Sequence, residues 1–108
     1  MIEAHLEGAD LYGADLRGAN LMDAHLNGAN LLHAQLQGAV LVGTDFRGAA
    51  LGKANFEGAD VDDAHFEDNY TISSRYIKKA KHWQCANYDK DFRVNRLHLP
   101  IAKPSYCA

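Results

Sequence analysis

Alanine returns at every fifth residue from Ala4 to Ala64, yielding once, to Thr44, and a large apolar residue stands two places after each of these positions. The unit reads Ala, then Asp, Asn or His, then Leu, any residue and Gly. Ala9-Asp10-Leu11-Tyr12-Gly13 and Ala14-Asp15-Leu16-Arg17-Gly18 are examples, and thirteen units run without a slip to Asp68. Five residues cannot bury their own apolar face, so the units must stack on one another, and the period constrains the fold before any propensity does. In extended chain, side chains alternate between faces, so the Ala and Leu of a unit point one way and the residues between and after them point the other. Five is odd, so one residue per unit must reset the phase. Gly holds that place eight times, at Gly8, Gly13, Gly18, Gly28, Gly38, Gly43, Gly48 and Gly58, as suits a backbone corner. Asp23, Asp63, Asp68, His33 and Lys53 fill it elsewhere. Each unit therefore reads as a short strand and a bend. A helix fails, because five residues advance it by about 500° and spread the leucines over every face.

Size then argues for closure. A side of about three strand residues is roughly 10 Å long, and apolar sheets also pack roughly 10 Å apart. A square tube fills itself with one Leu and one Ala per side, whereas a triangle would crowd the leucines. Over residues 4–68 the pattern resembles the pentapeptide repeat family. The resemblance implies an all-β solenoid, a right-handed quadrilateral parallel β-helix with four units per coil. Residues 1–68 would form about three coils, and residues 69–108 a short α-helical and extended C-terminal cap. In the family's terms the central inward residues are Leu6, Leu11, Leu16, Leu21, Leu26, Leu31, Leu36, Leu41, Phe46, Leu51, Phe56, Val61 and Phe66, with the alanines as the second inward set. Met1 falls in the same register, with Ile2 and Glu3 completing a partial unit.

Charge divides at the same boundary. Residues 1–68 carry twelve acids and three bases, a net −9, while residues 69–108 carry two acids and eight bases, a net +6. The basic tail is expected to lie back on the acidic solenoid's end with some Coulombic help. Ser73 or Ser74 can cap a helix running to about Trp83, with Tyr76, Ala80 and Trp83 on one face. Asp89 can start a second turn presenting Phe92, and Pro100 and Pro104 keep the last residues extended. The stretch from Ala80 to Asp89 is similar to tails that follow such repeats in cyanobacterial proteins. Inward residues enlarge toward this end, at Phe46, Phe56 and Phe66, which gives the cap an aromatic floor. Such a cap covers strand edges that would otherwise invite aggregation. No apolar run approaches the ~18 residues of a membrane span, and no charged-then-apolar leader opens the chain. Cys85 and Cys107 make no disulfide framework and read as reduced thiols, so a bacterial cytoplasmic protein without membrane association is expected.

Residues twenty apart stack at ~4.8 Å per coil, which puts His5, His25, Asp45 and His65 in one outer column. Imidazoles and a carboxylate are divalent-metal ligands, but consecutive rungs splay them along a line instead of around a point. His82, Cys85, His98 and Cys107 match no usual zinc spacing, and Gly48 to Lys53 lacks the context of a phosphate loop. The expectation is a protein without catalytic residues, cofactor or metal. Outward apolar residues mark candidate contact patches: Met22 and Val42 with Val40 beside them, and Tyr12 with Leu32. Asp60, Asp62 and Asp63 form an acidic cluster at the edge of the first patch.

Two functions follow. The first is a non-catalytic structural or interaction module with an unidentified protein partner and a weak homodimer through the N-terminal coil. The second comes from the resemblance, since some members of the family mimic duplex DNA and inhibit DNA gyrase. A charge of −9 over ~16 Å approximates the ~1.7 Å per charge of B-DNA. The acids are spread over all four sides, however, which favours the first reading; direct nucleic-acid binding is not expected of an acidic surface.

Overall fold

A chain that alternates its side chains yet repeats in fives has to turn once per unit, and the turn decides what backbone is left for pairing. In the computed structural model, which describes residues 3–69 and 71–107, the corners from Leu6 to Val61 are closed by the N–H of the next alanine, or of Thr44 in its place, donating to the preceding inward residue's carbonyl. Ala9 N lies 3.0 Å from Leu6 O, Ala29 N 3.0 Å from Leu26 O, and Ala59 N 2.9 Å from Phe56 O. The third residue of each turn has positive φ, as a type II turn requires. The eight corner glycines lie between 64° and 72°, and Asp23, His33, Lys53, Asp63 and Asp68 adopt the same region at 54–59°.

The turn takes four of the five residues, leaving only the one between Ala and Leu free to pair on both sides. Those residues form parallel bridges with partners twenty further on: His5, His25, Asp45 and His65 in one column, and Asn20, Val40 and Asp60 in another. Backbone bonds run from coil to coil beside each bridge, as in Leu6 N to His25 O and His25 N to Ala4 O, both 2.8 Å. Each side of this four-sided solenoid is thus a single bridged residue, not the short strand expected from the sequence. The register assigned to Met1 and Ile2 lies outside the described residues.

The inward assignment holds. Leu21, Leu26, Leu31, Leu36, Leu41, Phe46, Leu51, Phe56, Val61 and Phe66 are buried, together with the alanines from Ala24 to Ala64. Leu6, Leu11 and Leu16 pack against this core but stay half-buried, because among the described residues a coil covers them on one side only. Thr44 keeps its place in the alanine column by donating its hydroxyl to Leu21 O at 2.7 Å. Phe46 and Phe66 stack in parallel with centroids 5.1 Å apart, and Phe56 meets both edge-on. The column continues beyond the repeats through Tyr88, 5.6 Å from Phe66, to Phe92.

The tail begins with side chains doing the work of backbone. Asn69, 6% exposed, donates to Phe46 O and Ala49 O and accepts from Thr71 N and Ile72 N. The Thr71 hydroxyl accepts from Leu51 N at 2.8 Å, as a carbonyl of the next coil does in the regular ladder, and has Asn69 Oδ1 at 3.0 Å and Ala49 O at 3.3 Å as the two acceptors for its one proton. Helix α1 (Ser74–Ile77) is capped by Ser73, whose side chain accepts from Arg75 N. It ends at Ile77 and not near Trp83, so Ile77 and Ala80 are buried where Tyr76 and Trp83 were expected to share a helix face. A single turn of helix gains little by propagating; the chain instead rejoins the open ladder. Lys79 O accepts from Gly58 N, Lys81 pairs with Asp60, and Asn87 pairs with His65. A left-handed His82 and a 3₁₀ turn (Trp83–Cys85) make the corner between those rungs. A π-helical turn (Phe92–Arg96) follows.

Cys85 and Cys107 are joined in a disulfide with Cα atoms 5.4 Å apart, which corrects the expectation of reduced thiols. The ladder carries Cys85 to the last coil and the chain end returns to it, a meeting that spacing alone does not reveal.

Three substitutions test this frame. Lys53→Gly should raise stability by about 0.5–1 kcal/mol by relieving a left-handed side chain, and Gly48→Ala should lower it by about 1 kcal/mol. A Cβ at Gly48 meets nothing within 4 Å, so that loss is purely conformational. Asn69→Asp should cost about 2–4 kcal/mol, because it replaces two buried donors with a carboxylate facing carbonyl oxygens. Denaturant midpoints of the three variants check both statements.

Candidate functional site

The outer faces are built from the residues flanking each inward Leu. Where the first of these is Asp or Asn, its side chain accepts from the backbone N–H two residues on. Asp10 does so with Tyr12, Asn20 with Met22, Asn30 with Leu32 and Asp60 with Asp62, at 3.1–3.3 Å. The preference for Asp and Asn at this position therefore has a local cause, an Asx turn that satisfies an outward N–H.

The histidine column lies in an open groove of about 510 Å³ lined by Glu3, Asp23, His25, Gly43, Asp45, Arg47, His65 and Glu67. The His5 and His25 rings stack at 4.7 Å, one ladder step apart. Asp45 is held by the Arg47 fork at 2.9 and 2.8 Å, which keeps its carboxyl below the usual range. His65 sits 3.4 Å from Glu67. The column is therefore divided into separate pairs, and among the described residues no three His, Cys, Asp or Glu side chains converge as metal ligands. Arg17 grips Asp15 in the same fork geometry at 2.8 and 2.7 Å and holds its pKa at about 2.

The apolar patches stay where the repeat put them. Met22, Val40 and Val42 are half-buried neighbours on adjoining rungs. On another face Tyr12 is 60% exposed, with its ring 5.5 Å from that of His33. Leu32 is half-buried and lies over Gly52, where an added Cβ would come 2.8 Å from it.

The acidic cluster faces the tail. Asp60 accepts from the His82 ring at 2.9 Å, and that hydrogen bond together with the Asp60 charge raises the His82 pKa. Asp63 is held below its ordinary value chiefly by Asn87, with help from Lys103 at 3.2 Å. Only Asp62 of the three has no tail partner among the described contacts. The expected Coulombic docking of tail on solenoid is thus realised by Lys103 on Asp63, joined by His82 on Asp60 when that ring is protonated. The sequence reading missed a groove in the tail itself, lined by Lys90, Asp91, Val94, Asn95, Leu99, Pro100 and Ile101. Nothing periodic marks these residues, so no signal in the sequence could have gathered them. Among the described residues no helix is long and apolar enough to cross a membrane.

Comparison with known proteins places these features. The family model for pentapeptide repeats matches residues 1–31 and 29–68. No match is found among curated protein sequences. Among solved structures, a pentapeptide repeat protein from the cyanobacterium Cyanothece 51142 is similar at 39% identity and a TM-score of 0.56, over 57% of this chain and 42% of the other. A pentapeptide repeat protein from the Arabidopsis thaliana thylakoid lumen aligns at 33% identity and a TM-score of 0.47, over 60% and 48% of the two chains. HetL of the cyanobacterium Nostoc, involved in heterocyst differentiation regulation, aligns at 28% identity and a TM-score of 0.49, over 61% and 42%. The chain thus spans less than half the length of each of these proteins.

The His82–Asp60 pair gives a pH dependence of definite sign. The folded protein raises the His82 pKa above 6.5, so the pair's contribution is full below that value and is lost as pH rises through the folded pKa. His82→Asn keeps a residue suited to the left-handed backbone. It should lower the melting temperature slightly at about pH 5.5 and leave it unchanged above about pH 8. Melts of both proteins across that range read the difference.

Proposed function

The chain belongs to the pentapeptide repeat family, and on that premise we propose that it is a non-catalytic structural or protein-interaction module whose outer faces recognise a protein partner. Pentapeptide repeat proteins adopt a right-handed quadrilateral β-helix, and here its interior is filled by Leu, Ala and Phe side chains. Recognition is left to the outside. The observation that carries the reading is the placement of Met22, Val40 and Val42 on adjoining rungs of one face, and of Tyr12 with Leu32 on another, amid otherwise polar positions. A rigid ladder holds such side chains at fixed spacing, so little ordering entropy is lost on binding. The half-buried Leu6, Leu11 and Leu16 of the first coil support weak self-association there, which sedimentation across a concentration series would read. Mimicry of DNA against gyrase is the less favoured reading, because Asp15, Asp45 and Asp63 are already neutralised by Arg17, Arg47 and Lys103.

Immobilised chain should retain a partner that either Val42→Glu or Tyr12→Glu releases, with an affinity loss of about ten-fold or more and an unchanged melting temperature. A partner held equally by wild type and both variants would overturn the assignment of these faces. Inhibition of gyrase supercoiling by the wild-type protein would favour the DNA-mimic reading instead.

A further inference from the structure

Residues 100–107 are attached to the protein in an unusual way. Beyond Leu99, whose N–H donates to Arg93 O at 2.9 Å, the chain runs back over the last coil to Cys107. Its large apolar side chains are mostly exposed, Ile101 at 65% and Tyr106 at 71%. The non-covalent attachments are few. Arg93 donates from Nε to Pro100 O at 2.6 Å and from Nη2 to Ala102 O at 3.1 Å, and Lys103 meets Asp63 at 3.2 Å. An exposed ion pair of this kind contributes little. The remaining tie is the disulfide to Cys85, which is buried against the solenoid with its carbonyl accepting from Asp63 N.

Beneath this segment lies a charge whose position depends on it. Arg93 is only 3% exposed, and among the described contacts its guanidinium is satisfied by the two strap carbonyls and by no carboxylate. It lines a small cavity together with Glu67, Tyr88, Ile101 and Lys103; the buried Oε1 of that Glu67 lies 3.4 Å from His65 Nδ1 without making a hydrogen bond.

We propose that residues 100–107 are a redox-controlled strap, held over Arg93 by the Cys85–Cys107 disulfide and released by a dithiol reductant to uncover a cationic site beside Glu67. The inference does not depend on the partner-binding role of the other faces. Cys107 is the more accessible sulfur, Cys85 being buried, so the reductant's thiolate attacks there. A mixed disulfide forms at Cys107 as the bond to Cys85 breaks. The reductant's second thiol then displaces Cys107, the reductant leaves as its own disulfide, and its two protons pass to the two cysteine thiols. Without the covalent tie the strap must be ordered by the Arg93 and Lys103 contacts alone, against the entropy of closing the loop. The ladder residues 79–87 keep their bonds to the solenoid, because none of those bonds involves the strap.

Nuclear magnetic resonance on the intact chain, with and without dithiothreitol, tests this. Thiol counting should first show no free cysteine in the air-oxidised protein. On reduction, hydrogen exchange at the Cys107 amide and the Arg93 Nε–H should accelerate about ten-fold or more, while Lys81 and Asn87 amides stay as they were. Cys107→Ser without reductant should reproduce the reduced pattern and ignore dithiothreitol. Two free thiols in the air-oxidised protein, equal exchange in both redox states, or simultaneous loss of protection at Lys81 and Asn87 would each overturn the proposal.

Discussion

The structure depends on a parallel ladder of backbone bridges between residues twenty apart. Because a coil is four five-residue units, that ladder exists only if the chain turns through a right angle at every unit and returns above itself in register. Positive φ at the fifth position makes this feasible, and the same position tolerates Asp23, His33 and Lys53 in strained backbone because leaving the ladder would cost each coil its bonds. Inward Leu and Ala, outward Asx turns and the aromatic column all follow from keeping that register.

A parallel ladder has no natural end, and this chain ends its own by substitution. Asn69 and Thr71 present side-chain donors and acceptors to the carbonyls and amide of Phe46, Ala49 and Leu51. Asp89 offers its carboxylate to the amide of Asp68 at 3.0 Å. Residues 79–87 then supply true rungs, though displaced by one and then two residues from the repeat period. Tyr88 consequently lands on Phe66 as if it were the next inward residue, its hydroxyl bonded to Trp83 O and pushed by burial above its ordinary pKa. The open edge is thereby covered without a separate domain, which removes the surface most prone to strand-to-strand association.

Surface chemistry is decided by the same frame. Columns hold like positions about one ladder step apart, so neighbouring charges find partners two residues along, as Asp15 with Arg17 and Asp45 with Arg47, before they can converge on a ligand. That is why the histidine-rich column brings no three ligand side chains together among the described residues.

The period by itself determined the solenoid, the four-sided coil, the buried set from Leu21 to Phe66 and the corner positions, because each depends only on residues within a unit and its copy twenty residues away. The candidate faces around Met22, Val42 and Tyr12 were legible for the same reason. Past Asp68 the periodic signal stops, and there the tertiary structure decided. It cut the helix to Ser74–Ile77, since an open edge offered better bonds than another helical turn. It turned Asp60 and Asp63 toward His82, Asn87 and Lys103, and brought Cys107 to Cys85. Each of these is a meeting of residues brought together by where the last coil leaves its edge, and a chain without a repeat carries no local record of such a place.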